Sequence, residues 1–421
     1  MDKFIIEGNH RLNGTVEISG AKNSSLALIP ATLLTNGIST LYNTPILNDV
    51  YTMLKLLGQM GIEYEFNNET VKLNTNSIKS FEAPYEHVKK MRASVYVLGP
   101  LLAKYGSAKV SFPGGCAWGP RPINLHLMAL EKMGAVISLE NGYINAAAKK
   151  LIGTKINFDV PSVGATGNTL MAASMAKGLT TINNAACEPE IVNLCEYLVK
   201  MGAKIDGIGT SILHIEGVDE LKSTDITTIT DRIEAGTLLI AAAITKSKIK
   251  LSGIDSNHLL SVISKLEDIG CKLIYDRKNI EIDATDYEIN PIDISTGLFP
   301  GFPTDMQAQW TALMTLSNGT SSVTDTIYVD RFKHVPELMR LGANISVNEN
   351  TARITGVKKL TAAKVMSTDL RASASLVLAG LAAEGKTEVL RVYHLDRGYQ
   401  KIELKLQKLG ARIERVAGSE F

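Results

Sequence analysis

Only four of the 421 residues are cysteine (Cys116, Cys187, Cys195 and Cys271), and none belongs to a CxxC or CxxH pattern. That spacing suggests neither a zinc cluster nor a disulfide framework. The seven histidines form no HxH or HxxxH pair, so no metal is expected. An excess of charge is also lacking: 44 Lys and Arg face 43 Asp and Glu, for a net charge of +1. Nucleic-acid and membrane-surface proteins usually carry a basic excess. Neither partner is expected, although a local basic pocket for a small anion is compatible with this balance. The apolar run at 372–383 is 12 residues long, short of the roughly 20 that cross a bilayer. The start, Met1-Asp2-Lys3-Phe4, has no signal-peptide core, and the expected location is the cytoplasm. A dinucleotide fingerprint and a Walker loop are missing too: Gly207-Ile208-Gly209 lacks a third glycine, and no Lys-Ser/Thr follows Gly114-Gly115.

What is present is apolar: 45% hydrophobic against 21% charged residues, the balance of a packed protein with a sizeable core. The length suits two domains. One phrase recurs along the chain. A leucine-bearing helical run ends in an apolar residue, a glycine and a small or apolar residue, at Gly61, Gly134, Gly202, Gly270, Gly342 and Gly410. These glycines stand 68 to 73 residues apart. Ile402, Leu406 and Leu409 share one helix face, and Gly410 supplies the left-handed residue that stops the helix. A strand follows the equivalent glycine in the preceding copy, with Ala343, Ile345 and Val347 alternating with Asn344, Ser346 and Asn348.

Upstream in each copy lies a helix rich in small apolar residues, beginning near Lys22, Arg92, Gly164, Asp231, Asp305 and Arg371. Being apolar nearly all round, such helices belong in the interior. The spacing predicts six α/β units of about 70 residues in two lobes of three, with a crossover near 226–230.

Functional residue types gather where these helices start: Lys22 and Asn23, Arg92, Asp231 and Glu234, Asp305, Asp369 and Arg371. Helix starts favour anions. Asp231 and Asp369 read first as N-caps. Lys22, Arg92 and Arg371 sit where a cation is unfavourable, so a negative partner is expected for each. The segment Phe112-Pro113-Gly114-Gly115-Cys116-Ala117-Trp118-Gly119-Pro120-Arg121-Pro122 can be neither helix nor central strand. It places a thiol on a loop beside a cation, where it can ionise and reach a substrate. Cys187, Cys195 and Cys271 have apolar or helical settings and read as structural.

The segments Ser19-Gly20-Ala21-Lys22-Asn23, Pro113-Gly114-Gly115-Cys116, Arg121-Pro122-Ile123-Asn124-Leu125-His126, Ser162-Val163-Gly164-Ala165-Thr166, Asp231-Arg232-Ile233-Glu234, Phe302-Pro303-Thr304-Asp305-Met306-Gln307, Asp369-Leu370-Arg371 and Arg397-Gly398-Tyr399 together resemble the UDP-N-acetylglucosamine 1-carboxyvinyltransferase family, over the full length. The resemblance implies a two-lobe α/β fold of the enolpyruvyl-transferase type, an inside-out α/β barrel of six βαβαββ-type repeats. One lobe would comprise residues 21–229, the other 1–20 with 230–421. It also implies the reaction: enolpyruvate passes from phosphoenolpyruvate to the 3′-hydroxyl of UDP-N-acetylglucosamine (UDP-GlcNAc), phosphate leaves, and peptidoglycan synthesis is committed. No metal or organic cofactor is implied, and a monomer is expected.

Residue roles follow from the same resemblance. Lys22, Asn23, Arg121, Arg371 and Arg397 would bind phosphoenolpyruvate, Arg forks being suited to its oxyanions. Arg92, Arg121, Pro122, Ile123, Asn124, Leu125, Ser162, Val163, Gly164, Asp305 and Ile327 would hold UDP-GlcNAc. Cys116 would be the general acid, and the target of fosfomycin. Asp305 would be the general base, with Lys22, Asp369 and Arg397 at the reacting centre. Closure of the lobes, with the Cys116 loop as lid, would exclude water.

Two departures from the family pattern stand out. Asn124 replaces a common Asp, so the nucleotide-sugar contact there carries no charge. Trp118-Gly119-Pro120 replaces smaller residues, and a stiffer lid is expected. Two rival readings compete. 5-Enolpyruvylshikimate-3-phosphate synthase shares the repeat but lacks the loop cysteine. A non-catalytic UDP-GlcNAc binder would need neither acid nor base.

Overall fold

Gly61, Gly134, Gly202, Gly270, Gly342 and Gly410 all have φ between 91° and 109°, a region that side-chain-bearing residues rarely enter. Each ends an outer helix: Asn48–Gln59, Asn124–Lys132, Pro189–Met201, Leu260–Asp268, Val335–Arg340 and Ile402–Lys408. The chain then turns directly into an antiparallel hairpin. The structure is a computed structural model that describes residues 2–89, 91–112, 123–328 and 330–417.

Every repeat builds the same four-stranded sheet. In the fifth, the order across the sheet is Ile294–Ser295, Thr320–Thr324, Thr351–Thr355, Asn344–Asn348. The first pair is parallel and the other two antiparallel. A buried helix connects the parallel strands. Such a crossover is required, because a tight hairpin can join only antiparallel neighbours.

Three sheets are completed by strands distant in sequence. Ile226–Thr227 pairs in parallel with Ile38–Tyr42 of the first repeat. Asn13–Glu17 pairs in parallel with Lys248–Ser252 of the fourth. Lys3–Glu7 lies between Lys386–Leu390 and Arg412–Val416 of the sixth. These pairings divide the chain into two compact units, Gly20–Ile229 and Met1–Ser19 with Thr230–Phe421. Each unit has a hydrophobic core of its own. Among the described residues the sheets are open four-stranded layers, plus one two-stranded ribbon. The barrel character implied by the resemblance is therefore not one of a sheet hydrogen-bonded into a closed ring.

The six inner helices are α1 (Lys22–Ala31), α2 (Leu98–Tyr105), α3 (Val163–Ala173), α4 (Arg232–Ile244), α5 (Gln307–Met314) and α6 (Leu370–Ala382). Every residue of α5 is buried, as is every residue of α4 beyond Arg232. Two helix starts differ from the sequence expectation. Arg92 and Asp305 lie in 3-10 turns, Arg92–Val97 and Thr304–Met306, that precede α2 and α5. Such 3-10 turns are common at α-helix N-termini.

Phe4 and Ile6 are fully buried in the central strand of the last sheet. Phe4→Ala and Ile6→Ala are each expected to cost roughly 2–5 kcal/mol in urea unfolding. Ile38→Ala, at a position 61% exposed, should fall within about 0.5 kcal/mol of the parent.

Candidate active site

The unit spanning Gly20–Ile229 presents its polar residues at the starts of α1, α2 and α3. Ala21 donates its N–H to Ile229 O at 2.7 Å, which fixes the entry to α1. Lys22 Nζ lies 3.7 Å from Asp49 Oδ2, with both side chains largely buried. Asp49 sits in the first turn of the outer helix Asn48–Gln59. The cation at this helix start is thus offset by a carboxylate of the protein. Asn23 is exposed on the same turn.

Arg92 is half-buried, and its charge bears on His126. Burial first, and Arg92 second, lower the His126 pKa to about 4. The tautomer follows from Asn168. Its Oδ1 accepts from Gly99 N at 2.7 Å, and its Nδ2 donates to Val95 O at 2.9 Å. The same Nδ2 therefore donates to His126 Nδ1 at 2.9 Å, and the imidazole proton resides on Nε2. That nitrogen faces Gly164, where a Cβ would come within 2.9 Å of it. Ser162 caps α3 by accepting from Ala165 N at 3.3 Å. Val163 O accepts from Tyr96 Oη at 3.3 Å. Ile123 is buried, Asn124 exposed and Leu125 half-buried at the start of the outer helix Asn124–Lys132. Cys116, Trp118, Arg121 and Pro122 lie outside the described residues.

The other unit centres on Asp305. Its Oδ1 accepts from Arg331 Nη2 at 2.6 Å and its Oδ2 from Arg371 Nη2 at 2.7 Å. Both arginine side chains are at most 7% exposed, against 26% for Asp305. Burial alone would raise the carboxyl pKa, but the charges of Arg371 and Arg331 outweigh it and hold Asp305 well below the usual range. Arg331 Nη1 also donates to Thr304 Oγ1 at 2.7 Å, which in turn donates to Asp325 Oδ2 at 2.7 Å. Asp325 Oδ1 takes the N–H groups of Ile327 and Tyr328 at 2.9 and 3.0 Å, so Ile327 is fixed to the Asp305 turn.

Arg371 Nη1 donates to Tyr399 Oη at 3.2 Å. Buried Gln309 and Thr237 bond the same phenol, at 3.1 and 2.9 Å. Asp369 and Asp231 are both helix caps: Asp369 Oδ1 accepts from Arg371 N and Ala372 N, and Asp231 Oδ1 from Ile233 N and Glu234 N. Arg397 ends the 3-10 turn Val392–Arg397 and is half-buried. Its charge and that of Asp369 both act on His394. Glu234 is buried and pairs with Lys405 at 2.6 Å. Its Oε2 accepts from Ser19 N at 2.9 Å, and Lys405 Nζ donates to Ser19 Oγ at 2.7 Å.

A family model described as EPSP synthase (3-phosphoshikimate 1-carboxyvinyltransferase) matches residues 6–406. Among curated proteins, those named UDP-N-acetylglucosamine 1-carboxyvinyltransferase from Chloroherpeton thalassium and Prosthecochloris aestuarii are each 56% identical. The alignments cover 100% of this chain and 99% and 100% of those proteins. The chain belongs to the UDP-N-acetylglucosamine 1-carboxyvinyltransferase family. Solved structures agree on the fold of this family member. The enolpyruvyl transferase NikO from Streptomyces tendae superposes with a TM-score of 0.91 at 23% identity, over 99% of both chains. An EPSP synthase from Acinetobacter baumannii gives 0.76 at 18% identity, over 99% of this chain and 100% of that one. Among the described residues no helix is long and apolar enough to cross a membrane, and no His, Cys, Asp and Glu cluster could hold a metal ion.

For this carboxyvinyltransferase family member, sequence reasoning missed several residues in the two clusters. Arg331 lies in the charged stretch Asp330-Arg331-Phe332-Lys333-His334, which reads as surface, and only its burial sets it apart. Asp49 sits on an outer helix and carries no motif. His126 stood inside a motif as its last residue without a role.

Asp305→Asn leaves two buried guanidiniums facing a neutral amide. It is expected to destabilise the protein by about 3–5 kcal/mol. Because the folded pKa of Asp305 is depressed, its contribution is complete above the unfolded value near ~3.9 and is lost as the pH falls through the folded one. The gap between parent and variant in unfolding free energy should therefore be constant at neutral pH and narrow below about pH 4. His126 has the opposite charge type. The unfolded chain takes up a proton at about pH 6.5 that the folded imidazole refuses until about 4. Parent stability should fall across that window, and His126→Gln should flatten the slope there.

Proposed function

We propose that the protein transfers the enolpyruvyl group of phosphoenolpyruvate to the 3′-hydroxyl of UDP-GlcNAc and releases phosphate, the first committed step of peptidoglycan synthesis. The observation that carries this reading is the 56% identity, over essentially the whole of both chains, to proteins named for that activity.

In the assignment we favour, Lys22, Asn23, Arg121, Arg371 and Arg397 bind phosphoenolpyruvate. Arg92, the segment 121–125, the start of α3 at Ser162, Val163 and Gly164, Ile327 and Asp305 hold the nucleotide sugar. The hydroxyl oxygen bonds to C2 of phosphoenolpyruvate while its proton passes to Asp305. The C2–C3 π electrons take a proton from the Cys116 thiol, and C3 becomes a methyl group. The methyl then returns a proton to the thiolate, the double bond re-forms, and phosphate departs from C2 with the bonding pair and takes up the proton held by Asp305. The geometry supports part of this scheme. Asp305 is ionised throughout the working pH range, so it is always able to accept. Its two guanidinium partners lower its basicity, so it aims the hydroxyl and takes the proton only as the new C–O bond makes that proton acidic. Asp369 caps α6 and holds the start of the helix that carries Arg371. A monomer is the simplest assembly for this reading. The cytoplasm, where both substrates are soluble metabolites, suits the chemistry.

Purified protein supplied with phosphoenolpyruvate and UDP-GlcNAc should release phosphate, and shikimate 3-phosphate should not replace the sugar nucleotide. No turnover at any pH would sink the enzyme reading. Cys116→Ser should abolish inactivation by fosfomycin; persistent inactivation would show another target.

A further inference from the structure

The segment that carries Arg397 is held by an arginine of the last strand. Arg415 donates Nη1 to Asp396 Oδ2 at 3.0 Å and Nη2 to Asp396 Oδ1 at 2.6 Å. It also donates Nε to Glu403 Oε1 at 2.9 Å. Its guanidinium carbon lies 5.0 Å from the centre of the Phe4 ring, and Asp2 Oδ2 is 3.4 Å from Nη1. One planar fork thus ties together the first strand, the last strand, the Arg397 turn and the helix after it. Two parallel bonds to one carboxylate fix an orientation as well as a distance. Glu403 depends on this pairing, because its Oε2 is buried without a hydrogen-bond partner among the described residues.

The same segment is anchored again just beyond Arg397. Gly398 packs so closely on Leu370 that a Cβ there would lie 2.6 Å from Leu370 Cδ2. Tyr399 is 1% exposed and bonded to Arg371 through its hydroxyl. The backbone enters and leaves the segment through left-handed non-glycine residues, Arg391 at φ 57° and Lys401 at φ 44°. Such conformations persist only where the surroundings impose them. Arg397 stands between the two anchors, Asp396 on one side and Gly398–Tyr399 on the other.

We infer that Arg415 is a positioning residue for phosphoenolpyruvate binding: by gripping Asp396 it fixes the direction of Arg397, and it keeps the Asp396 carboxylate from swinging toward that cation. The inference rests on the assignment of Arg397 to phosphoenolpyruvate. A charged group that is merely nearby predicts something different. Removing the negative charge of Asp396 would then strengthen anion binding at Arg397, and exchanging one cation for another at 415 would change nothing. The clamp predicts weaker binding in both cases.

The test uses the full chain with Arg415→Lys, Asp396→Asn and Arg397→Met, reading the KM for each substrate and the inhibition constant of inorganic phosphate against phosphoenolpyruvate. Asp396→Asn leaves the Arg415–Glu403 pair in place, so it keeps the question open to measurement if a variant at 415 folds poorly. In Arg415→Lys and Asp396→Asn, the KM for phosphoenolpyruvate and the phosphate constant should rise together by about tenfold, a misplacement effect smaller than outright loss of a contact. The KM for UDP-GlcNAc should stay within about twofold. A lowered melting temperature with both phosphoenolpyruvate readouts unchanged, or tighter phosphate binding in Asp396→Asn, overturns the clamp. If Arg397→Met leaves phosphate inhibition unaltered, the assignment of Arg397 fails and takes the clamp with it. If Arg397→Met weakens phosphate while the other two variants do not, the clamp alone fails.

Discussion

A single carboxylate allows two arginines to be buried at the heart of one unit. Asp305 accepts one bond from each of Arg331 and Arg371, and without it two cations would be stranded in a region of low dielectric. Much else is arranged around that charge. Thr304 and Asp325 orient the other arm of Arg331. Tyr399 accepts from the second arm of Arg371 and is itself held by Gln309 and Thr237, and Asp369 holds the helix start from which Arg371 projects. The buried glutamine and threonine positions on α4 and α5 would be costly in an ordinary core. The Tyr399 hydroxyl gives Thr237 and the amide nitrogen of Gln309 a partner. A carboxylate held in this way is never short of charge, but it is a feeble base. Its usefulness lies as much in aiming a hydroxyl as in taking its proton.

The repeat could be read from the chain because its signal is local. A left-handed glycine after an amphipathic helix, followed by alternation, occupies a dozen neighbouring residues and recurs six times. Helix caps were equally readable, since Asp231 and Asp369 act within three residues of themselves. The site was legible only where a motif marked it. Arg331 and Asp305 are 26 residues apart, and Lys405 and Ser19 386 apart. No periodicity in the sequence encodes such pairs. The winding of the helix starts was also hidden. Whether Arg92 begins an α-helix or a 3-10 turn depends on how its neighbours pack, a tertiary matter.

The cations expected at helix starts to await an anion turn out to be partly satisfied already. Lys22 faces Asp49, and Arg371 faces Asp305. Arg415, on the last strand, faces Asp396 and Glu403. The near-zero net charge of the chain therefore reflects matching at short range, residue by residue.

The first strand of the chain is the central strand of the last sheet. This has a consequence for the nascent polypeptide on the ribosome. The unit Gly20–Ile229 holds all its own strands and can be completed midway through translation. Residues 3–7 must wait until 386–416 have been made, roughly 20 to 80 seconds at ordinary elongation rates. Throughout that interval Phe4 and Ile6 have no sheet to enter. An apolar strand exposed for so long is a binding site for a holding chaperone and a nucleus for misassembly with a neighbouring chain on the same message. The flanking residues Asp2, Lys3 and Glu7 carry the charge that keeps such a strand soluble while it waits.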